Sequence, residues 1–386
     1  MNQNTTPSMI TFPGDLSIAT AVDESYVMPA AVMLVSALRN LQRGLKARVM
    51  VLESGLSTVS KQRIAASIER YPATLEWLAL DAGLTPVAAI ARRPVAALSL
   101  LAADTVVPAD VRRLIYLDAD TIVLGNLCQL WETRLNGALA AAAPDAYAHL
   151  SHASRVAQVQ AVDVPAMLPD AAYFNDGVML IDLEGWRTQG IGARARALIT
   201  AHPETLLDQQ DALNAVLQGR WLRLSPAWNV HQPVGHVHDW APEGLTKPEL
   251  AQVLHDPDIV HFVGSSKPWD ADCHHLYAER FLGFLKYTPW RRWTPAAMPL
   301  VRRTLFQMLR RPHARIDWYA WNGLVRTRDR EVFGGAVRTV ARHPWTVVTY
   351  PVHVLKSGVT SWRRRQARRR DDRSATPGAG PQRTAV

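Results

Sequence analysis

Residues 116–123 read Tyr-Leu-Asp-Ala-Asp-Thr-Ile-Val, which puts two carboxylates directly after an apolar run that is typical of a β-strand. In an extended backbone, side chains two positions apart point to the same side, so Asp118 and Asp120 can converge on one hard cation. Paired carboxylates suit Mg²⁺ or Mn²⁺, and in enzymes such ions typically serve phosphate-bearing substrates. A bare Asp-x-Asp triplet also occurs where a strand ends in two solvated aspartates, so the rest of the chain decides between these interpretations.

A second motif lies at residues 259–269, which read Ile-Val-His-Phe-Val-Gly-Ser-Ser-Lys-Pro-Trp. The pattern predicts a short strand that delivers His261 into a Gly-Ser-Ser loop. Gly264 lets the backbone approach a phosphate closely, and Lys267 supplies a compact positive charge for it. A lone histidine is more often a satisfied core residue, but glycine, lysine and tryptophan accompany this one. The motif therefore favours a metal ligand beside a phosphate site.

Three further motifs lie between these two, at residues 173–183, 208–214 and 228–229. Together the motifs resemble glycosyltransferase family 8, the retaining enzymes that include lipopolysaccharide galactosyl- and glucosyltransferases and the glycogenins. The resemblance runs from about residue 17 to about residue 287. It implies an α/β fold of the GT-A type, in which a Rossmann-like nucleotide-binding sheet carries an antiparallel extension on the acceptor side.

The resemblance implies a role for each residue of the metal motifs. Asp118, Asp120 and His261 correspond to the residues that hold Mn²⁺ against the diphosphate of the donor, and Gly264 and Lys267 to those that cradle the phosphates. A mixed shell of carboxylates and imidazole fits Mn²⁺ better than Mg²⁺, which prefers oxygen ligands and retained waters. Mg²⁺ stays possible.

The first predicted strand and its exit resemble the nucleotide-binding edge of the family. Asp23 matches the acidic residue that addresses the uracil, and Tyr26 could stack on the base. The same stretch also reads as the start of a helix capped by Ser25, because residues 27–40 have helical apolar spacing. The two interpretations are compatible.

Two parts of the sequence depart from the family pattern. Relatives carry a basic residue in the helix before the Asp-x-Asp strand, whereas residues 98–101 read Leu-Ser-Leu-Leu, so Arg92 or Arg93 would have to reach in. The two segments that line the donor sugar in the family are altered as well. Residues 175–177 contain an extra carboxylate, and residues 208–211 can be aligned with the family pattern in two ways. The donor-binding candidates there are Asn175, Asp176 and Gly177. The candidates for catalysis at the sugar are Asp208, Gln209, Gln210 and Asp211.

Hydrophobic patterning predicts strands at residues 16–22, 48–52, 74–80 and 111–117. Helices are predicted between them, at residues 27–40, 57–71 and near 97–107, and further strands around Ile122, Leu139 and Val178. This alternation predicts a mainly parallel sheet with helices on both faces, which binds nucleotides at the carboxyl ends of its strands. With 48% apolar and 20% charged residues among 386, the chain can bury a large core in a domain predicted at residues 15–287.

The net charge of +9 comes from the C-terminal part of the chain. Residues 288–370 are rich in arginine and tryptophan, and residues 300–311 have an amphipathic helical pattern, which predicts a helical tail that associates with an anionic membrane. The alternative is a solvated helical extension that packs on the domain. Nucleic-acid binding is not favoured, because no such fold signature accompanies the arginines. Residues 371–386 are predicted to be disordered.

Two cysteines and the lack of a secretory or membrane-spanning pattern lead us to expect a cytoplasmic protein on the inner face of the plasma membrane. The sequence thus predicts a metal-dependent retaining glycosyltransferase that moves glucose or galactose from a UDP-sugar to a glycan or lipid-linked acceptor, as in cell-envelope polysaccharide synthesis. Two alternatives stay open. Asp118 and Asp120 also match the nucleophile loop of haloacid-dehalogenase-like phosphatases, and a degenerate transferase would bind nucleotide sugar without turnover.

Overall fold

Two β-sheets carry the described part of the chain, which in this computed structural model comprises residues 15–42, 44–80, 83–145, 172–203, 208–231, 246–264, 267–270, 273, 275 and 277–293. The strands are β1 (Leu16–Val22), β2 (Ala47–Glu53), β3 (Ala73–Ala79), β4 (Arg113–Leu117), β5 (Thr121–Val123), β6 (Ala140–Pro144), β7 (Phe174–Asp182), β8 (Trp221–Arg223), β9 (Val230–His231) and β10 (Ile259–His261). The larger sheet has the strand order β3-β2-β1-β4-β7-β6-β8, and the smaller one β5-β10-β9.

Helices connect the strands. They are α1 (Val27–Arg39), α2 (Thr58–Ile68), α3 (Leu84–Ala91), α4 (Ala103–Val106), α5 (Leu127–Trp131), α6 (Leu183–Thr188), α7 (Ile191–Ala201), α8 (Gln209–Val216), α9 (Lys247–His255) and α10 (Ala278–Leu285). Three 3-10 helices lie at Glu24–Tyr26, Val95–Ala102 and Pro226–Asn229. Among the described residues, no helix is long and apolar enough to cross a membrane.

The larger sheet joins a parallel half to an antiparallel half. Strands β1 to β4 are parallel to one another, whereas β7 runs antiparallel to both β4 and β6. The inner parallel strands β1, β2 and β4 are mostly apolar and mostly buried, as expected for strands covered on both faces, whereas the edge strand β3 is partly exposed. The predicted α/β class, with a Rossmann-like sheet and an antiparallel extension, is confirmed.

The two faces of the sheet pack into separate cores, because consecutive strand residues point to opposite sides. On β4, Ile115 joins the core beneath α1, while Tyr116 joins the core on the other face together with the fully buried Trp186. Helices therefore cover both faces, and the sheet edge stays available for function.

One predicted helix differs from the structure. The segment near residues 97–107 forms the 3-10 helix Val95–Ala102, with a kink at Leu98, and then the single-turn α4. The Leu100 amide, near this kink, donates to the side chain of Gln209 at 2.7 Å, a partner more than a hundred positions away. Residues 294–386, which hold nearly all of the predicted tail, lie outside the described residues.

Several predicted site residues lie where β1 and β4 end. Asp23 follows β1 and Asp118 follows β4, so both lie at the carboxyl edge of the parallel half. Strand β5 begins directly after Asp120, and its antiparallel pairing with β10 brings His261 opposite Thr121. The small sheet thereby delivers the second predicted motif to the first.

Candidate metal and donor site

Asp118, Asp120 and His261 form a cluster that could hold a metal ion. One ligand atom from each lies within 4.8 Å of the others. The Nε2 atom of His261 lies 3.5 Å from Asp118 Oδ2 and 3.3 Å from Asp120 Oδ1. Two carboxylate oxygens and one imidazole nitrogen thus face a common point, as the sequence predicted.

Backbone hydrogen bonds hold the three strand ends together. The amide of Phe262 donates to the carbonyl of Asp120 at 3.0 Å, and the amide of Asp118 donates to the carbonyl of Gly177 at 2.8 Å. The chain turns from Asp118 to Thr121, whose amide and hydroxyl both donate to the Asp118 carbonyl, at 3.1 Å and 2.8 Å. The cluster is therefore fixed by main-chain geometry and not only by its side chains.

Gly177 leaves room for the ligands. A Cβ atom at this position would lie 2.1 Å from Cε1 of His261 and 2.8 Å from Oδ2 of Asp118, distances that real Cβ atoms do not adopt. Any side chain there would displace a ligand. The space between β7 and the cluster thus suits the three donor atoms and a cation, and the set of two hard oxygens and one nitrogen fits Mn²⁺.

Lys267 adds a positive charge on the other side of Asp120. Its Nζ lies 2.5 Å from Asp120 Oδ2 and 2.7 Å from the carbonyl oxygen of Phe262. The two oxygens of Asp120 therefore have different partners, since Oδ1 faces His261 and Oδ2 faces Lys267.

The electrostatics of the cluster follow from burial and from these pairs. Burial disfavours the charged form of Asp120, but attraction to His261 and Lys267 outweighs it and lowers the pKa of Asp120. Burial, with repulsion from Asp120, raises the pKa of Asp118. Burial alone would lower the pKa of His261, yet attraction to Asp120 makes the net shift upward. A divalent cation would relieve the repulsion between the carboxylates.

The residues predicted to line the donor sugar form a network of amides around Asp176. Gln209 Nε2 donates to Asp176 Oδ2 at 2.8 Å, while Gln210 Oε1 accepts from the Asp176 amide at 3.2 Å. Burial, followed by repulsion from Asp118, raises the pKa of Asp176 well above its usual range. The extra carboxylate that distinguishes this chain is thus next to the metal cluster.

Asp145 lies beneath this network and was not identified from the sequence. Its Oδ2 accepts from Asn175 Nδ2 and from Gln210 Nε2, each at 3.0 Å. No sequence signal singles it out, because it follows β6 without a motif of its own. Asn229 was noted only as part of a motif, and it lies 3.1 Å from His261 Nδ1.

The two aspartates at the start of α8 have structural partners. Asp208 caps the helix by accepting from the Asp211 amide at 3.1 Å, and it pairs with Arg93 at 3.4 Å. Asp211 is fully buried and accepts from the Tyr173 hydroxyl at 2.6 Å. Of the four predicted catalytic candidates, the structure brings Gln209 and Gln210 to the Asp176 network and places Asp211 in the core.

The predicted nucleotide edge is assembled beside the cluster. Asp23 Oδ1 accepts from the backbone and hydroxyl of Ser25 at 2.9 Å and 2.6 Å, so Asp23 caps the 3-10 helix. The prediction that Ser25 caps the following helix is wrong, because the N-cap position of α1 is Tyr26 and no side chain caps it. The ring of Tyr26 packs edge-on against Trp269 with centroids 5.8 Å apart. Gly264 has a φ of +86°, which suits glycine, and the next two residues lie outside the described part.

Comparison with known proteins places this arrangement in a family. Residues 17–273 match the sequence pattern described as Glycosyl transferase family 8. The chain belongs to glycosyltransferase family 8. It is therefore a glycosyltransferase, and its family membership does not favour the phosphatase interpretation of Asp118 and Asp120.

Two proteins illustrate what this chain is similar to. The General stress protein A of Bacillus subtilis (strain 168) is 28% identical over 280 residues, which cover 71% of this chain and 94% of that protein. The lipopolysaccharide 1,2-glucosyltransferase of Escherichia coli (strain K12) is 27% identical over 185 residues, which cover 47% of this chain and 52% of that protein.

Solved structures show the same fold. The galactosyltransferase LgtC, determined in complex with donor and acceptor sugar analogues, has a TM-score of 0.59 at 21% identity, over 75% of this chain and 99% of that chain. The glycosyltransferase GlyE of Streptococcus pneumoniae TIGR4 has a TM-score of 0.52 at 17% identity, over 76% of this chain and 64% of that chain. The predicted GT-A fold of this family 8 enzyme is thereby confirmed.

Proposed function

We propose that this family 8 glycosyltransferase is a retaining hexosyltransferase that uses Mn²⁺ and a UDP-sugar, with glucose or galactose as the transferred sugar. The observation that carries the proposal is the convergence of Asp118, Asp120 and His261, with Lys267 held against Asp120. Three ligand atoms and one ammonium group suit a cation bound to a diphosphate.

Each group at this end has a defined task in the proposed reaction. Mn²⁺, when bound, would supply a Lewis acid for the negative charge of the departing diphosphate. Asp118, Asp120 and His261 would hold it. Lys267 neutralises the other oxygen of Asp120 and adds positive potential beside the phosphates, where preorganised charge is most effective.

The amide network supplies the sugar end. Donors and acceptors that match sugar hydroxyls are offered by Gln209, Gln210 and Asp176. They lie next to the proposed metal ligands, because Asp176 is on β7, Asp118 follows β4, and these two strands are paired. These groups bind and orient the hexose in the proposed complex, while Asp23 and Tyr26 bind the uracil end.

We further propose a glycan or lipid-linked acceptor and attachment to an anionic membrane surface through the basic C-terminal region. The similarity to the lipopolysaccharide 1,2-glucosyltransferase of Escherichia coli supports an envelope glycan. The excess of arginine and tryptophan after residue 293 supports attachment to the membrane surface.

Deletion of the residues after Trp293 tests this attachment. The deletion begins there because Thr288 is buried and Trp290 packs on the core, so the domain keeps both. The deletion variant should keep UDP binding and lose sedimentation with phosphatidylglycerol vesicles, whereas equal sedimentation would contradict the proposal.

The catalytic proposal is tested by titration with UDP and Mn²⁺ and by UDP release over a panel of UDP-sugars. Native protein should bind UDP in an Mn²⁺-dependent manner and release it fastest from a UDP-hexose. Asp120→Asn keeps the shape but removes a charged ligand, so binding and turnover should fall together. The exposed Asp256→Asn is the matched control and should change neither. Binding without release from any sugar would identify a degenerate transferase, and full activity in excess EDTA would contradict the metal.

A further inference from the structure

The second ring nitrogen of His261 has a partner that no part of the proposed function uses. While Nε2 faces the two aspartates, Nδ1 lies 3.1 Å from Oδ1 of Asn229. A neutral imidazole carries one proton, and only the unprotonated nitrogen can bind a metal. Which nitrogen holds the proton therefore decides whether His261 can serve as a ligand.

A backbone group fixes the orientation of the first amide in this chain of contacts. The backbone N–H of Gly177 can only donate a hydrogen bond. The side-chain atom of Asn175 that lies 3.0 Å from it must therefore be the oxygen, Oδ1. On its other side, the Asn175 side chain donates from Nδ2 to Asp145 Oδ2 and to Gln210 Oε1, each at 3.0 Å. Both contacts require the same orientation, so the Asn175 amide has one satisfactory arrangement.

The orientation of Asn175 determines that of Asn229. Because Asn175 Oδ1 accepts, the Asn229 atom 2.8 Å away must be the donor Nδ2. The remaining atom of Asn229, Oδ1, can only accept from His261, so Nδ1 of His261 carries the proton. Whenever the ring is neutral, Nε2 therefore carries the lone pair, and it faces the space between Asp118 and Asp120.

Burial makes this assignment strict. The exposed fractions of Asn175, Asn229 and His261 are 4%, 1% and 5%. Solvent therefore offers little substitute for a lost hydrogen bond, and an inverted amide would face two oxygens against each other at 2.8 Å.

We propose that Asn229 is a positioning residue that holds His261 in the Nδ1–H tautomer and so presents Nε2 as the ligand, with Asn175 fixing the orientation of Asn229. The inference rests on the proposed metal site for its function but not for its geometry. Removal of the hydrogen-bond partner of a metal-ligating histidine typically lowers metal affinity 10- to 100-fold. Asn175 also contacts Gln210, so one amide joins the metal end of the site to the sugar end.

The test measures the tautomer directly, by nitrogen NMR of ¹⁵N-histidine-labelled full-length protein without metal, at alkaline pH where the ring is neutral. His261→Gln identifies the signal. Native protein should show Nδ1–H. Asn229→Asp keeps an acceptor for Nδ1–H and should keep that tautomer, while it loses the donor to Asn175 and is less stable. Asn229→Leu offers no acceptor, so the tautomer should become mixed and Mn²⁺ affinity, measured by the EPR signal of free Mn²⁺, should fall about 10- to 100-fold.

Asn214→Leu is the matched control. Asn214 is a buried amide whose side chain forms hydrogen bonds with the backbone of Phe174 in β7, the strand that also contains Asn175, but it contacts no proposed ligand. Its loss should lower stability and leave both the tautomer and Mn²⁺ affinity unchanged. An Nε2–H ring in native protein would overturn the inference. Native Mn²⁺ affinity in a folded Asn229→Leu variant would also overturn the inference. If Asn229→Leu does not fold, the Asn229→Asp variant decides, and a loss of the Nδ1–H tautomer in that variant would overturn the inference. Native Nδ1–H without any Mn²⁺ binding would uphold the tautomer and contradict the proposed function alone.

Discussion

The metal end and the sugar end of the site share strand β7 but are built from different interactions. At the proposed metal end, Lys267 forms an ion pair with Asp120, and Nε2 of His261 lies 3.5 Å from Asp118 Oδ2 and 3.3 Å from Asp120 Oδ1. At the sugar end, neutral amides surround Asp176, a carboxyl whose pKa is raised by burial and then by repulsion from Asp118. Charge is thus balanced at one end and suppressed at the other, which suits a diphosphate with a cation in the first case and an uncharged hexose in the second.

The sharpest way to break this division is to fill the space that only the metal end requires. In Gly177→Ala, the added methyl would lie 2.1 Å from His261 and 2.8 Å from Asp118, so at least one ligand must move without any change of charge. We expect Mn²⁺ affinity and turnover to fall together by at least about 100-fold, since ligand geometry sets both. Free Mn²⁺ by EPR and UDP release measure the two quantities.

Gly283→Ala is the control for this variant. Nothing lies within 4 Å of a Cβ atom built at Gly283, which is in α10, so the substitution should leave Mn²⁺ binding unchanged and stabilise slightly through helix propensity. Native Mn²⁺ affinity in Gly177→Ala would mean that the cation does not lie among the three proposed ligands.

The next largest effect is expected from Lys267→Ala. The substitution removes the partner of Asp120 Oδ2 and the positive charge beside the proposed diphosphate, so UDP affinity in the presence of Mn²⁺ should fall about 100-fold. Arg93 is the comparison, because it pairs with Asp208 at 3.4 Å and is half exposed. Arg93→Ala should change UDP affinity less than about threefold, as is usual for an exposed pair. Titration calorimetry with UDP distinguishes the two, and a larger loss in Arg93→Ala would assign the phosphate-binding role to the arginine.

Much of the metal end could be predicted from sequence because its chemistry restricts the residue types. Strand β1 has the predicted bounds, 16–22, since a parallel strand buried on both faces is a continuous apolar run. Asp118, Asp120 and His261 are identifiable as candidate ligands by type and motif, and the structure brings them together. A metal site thus leaves a local pattern even when its ligands are far apart in the chain.

The sugar end could be predicted only in outline, because amides acquire their roles from neighbours that are distant in sequence. Asp145 accepts from Asn175 and Gln210 but follows β6 without a motif. The 3-10 conformation of Val95–Ala102 accompanies a bond from Leu100 to Gln209 that hydrophobic periodicity cannot show. Asp211, predicted as a catalytic candidate, is fully buried and accepts from the Tyr173 hydroxyl, a contact that the sequence alone does not reveal.

A smaller effect, confined to the sugar end, is expected from Asp176→Ser. The serine removes the carboxyl oxygen that accepts from Gln209, but no proposed ligand. Mn²⁺-dependent UDP affinity should therefore stay within about threefold of native. The ratio of kcat/KM for UDP-glucose and UDP-galactose should shift about tenfold, which corresponds to about one hydrogen bond to the sugar. An unchanged ratio together with a large change in Mn²⁺ affinity would show that Asp176 belongs to the metal end.

The smallest effect on turnover is expected behind the metal end, at His275. Burial, then repulsion from His261 and Lys267, lowers the pKa of His275 to about 3, and its ring packs against Phe262 with centroids 4.5 Å apart. An unfolded histidine titrates near pH 6.5, so below that pH the unfolded chain takes up a proton that the folded chain does not, and stability is lost as the pH falls toward 3.

His275→Phe keeps the aromatic contact and removes this proton uptake. Urea unfolding at neutral pH and at about pH 4 should therefore show a shallower loss of stability in the variant, by a few kcal/mol at most, with UDP release unchanged at neutral pH. Equal acid sensitivity in both proteins would mean that His275 is protonated in the folded state and belongs to the charge balance of the metal end.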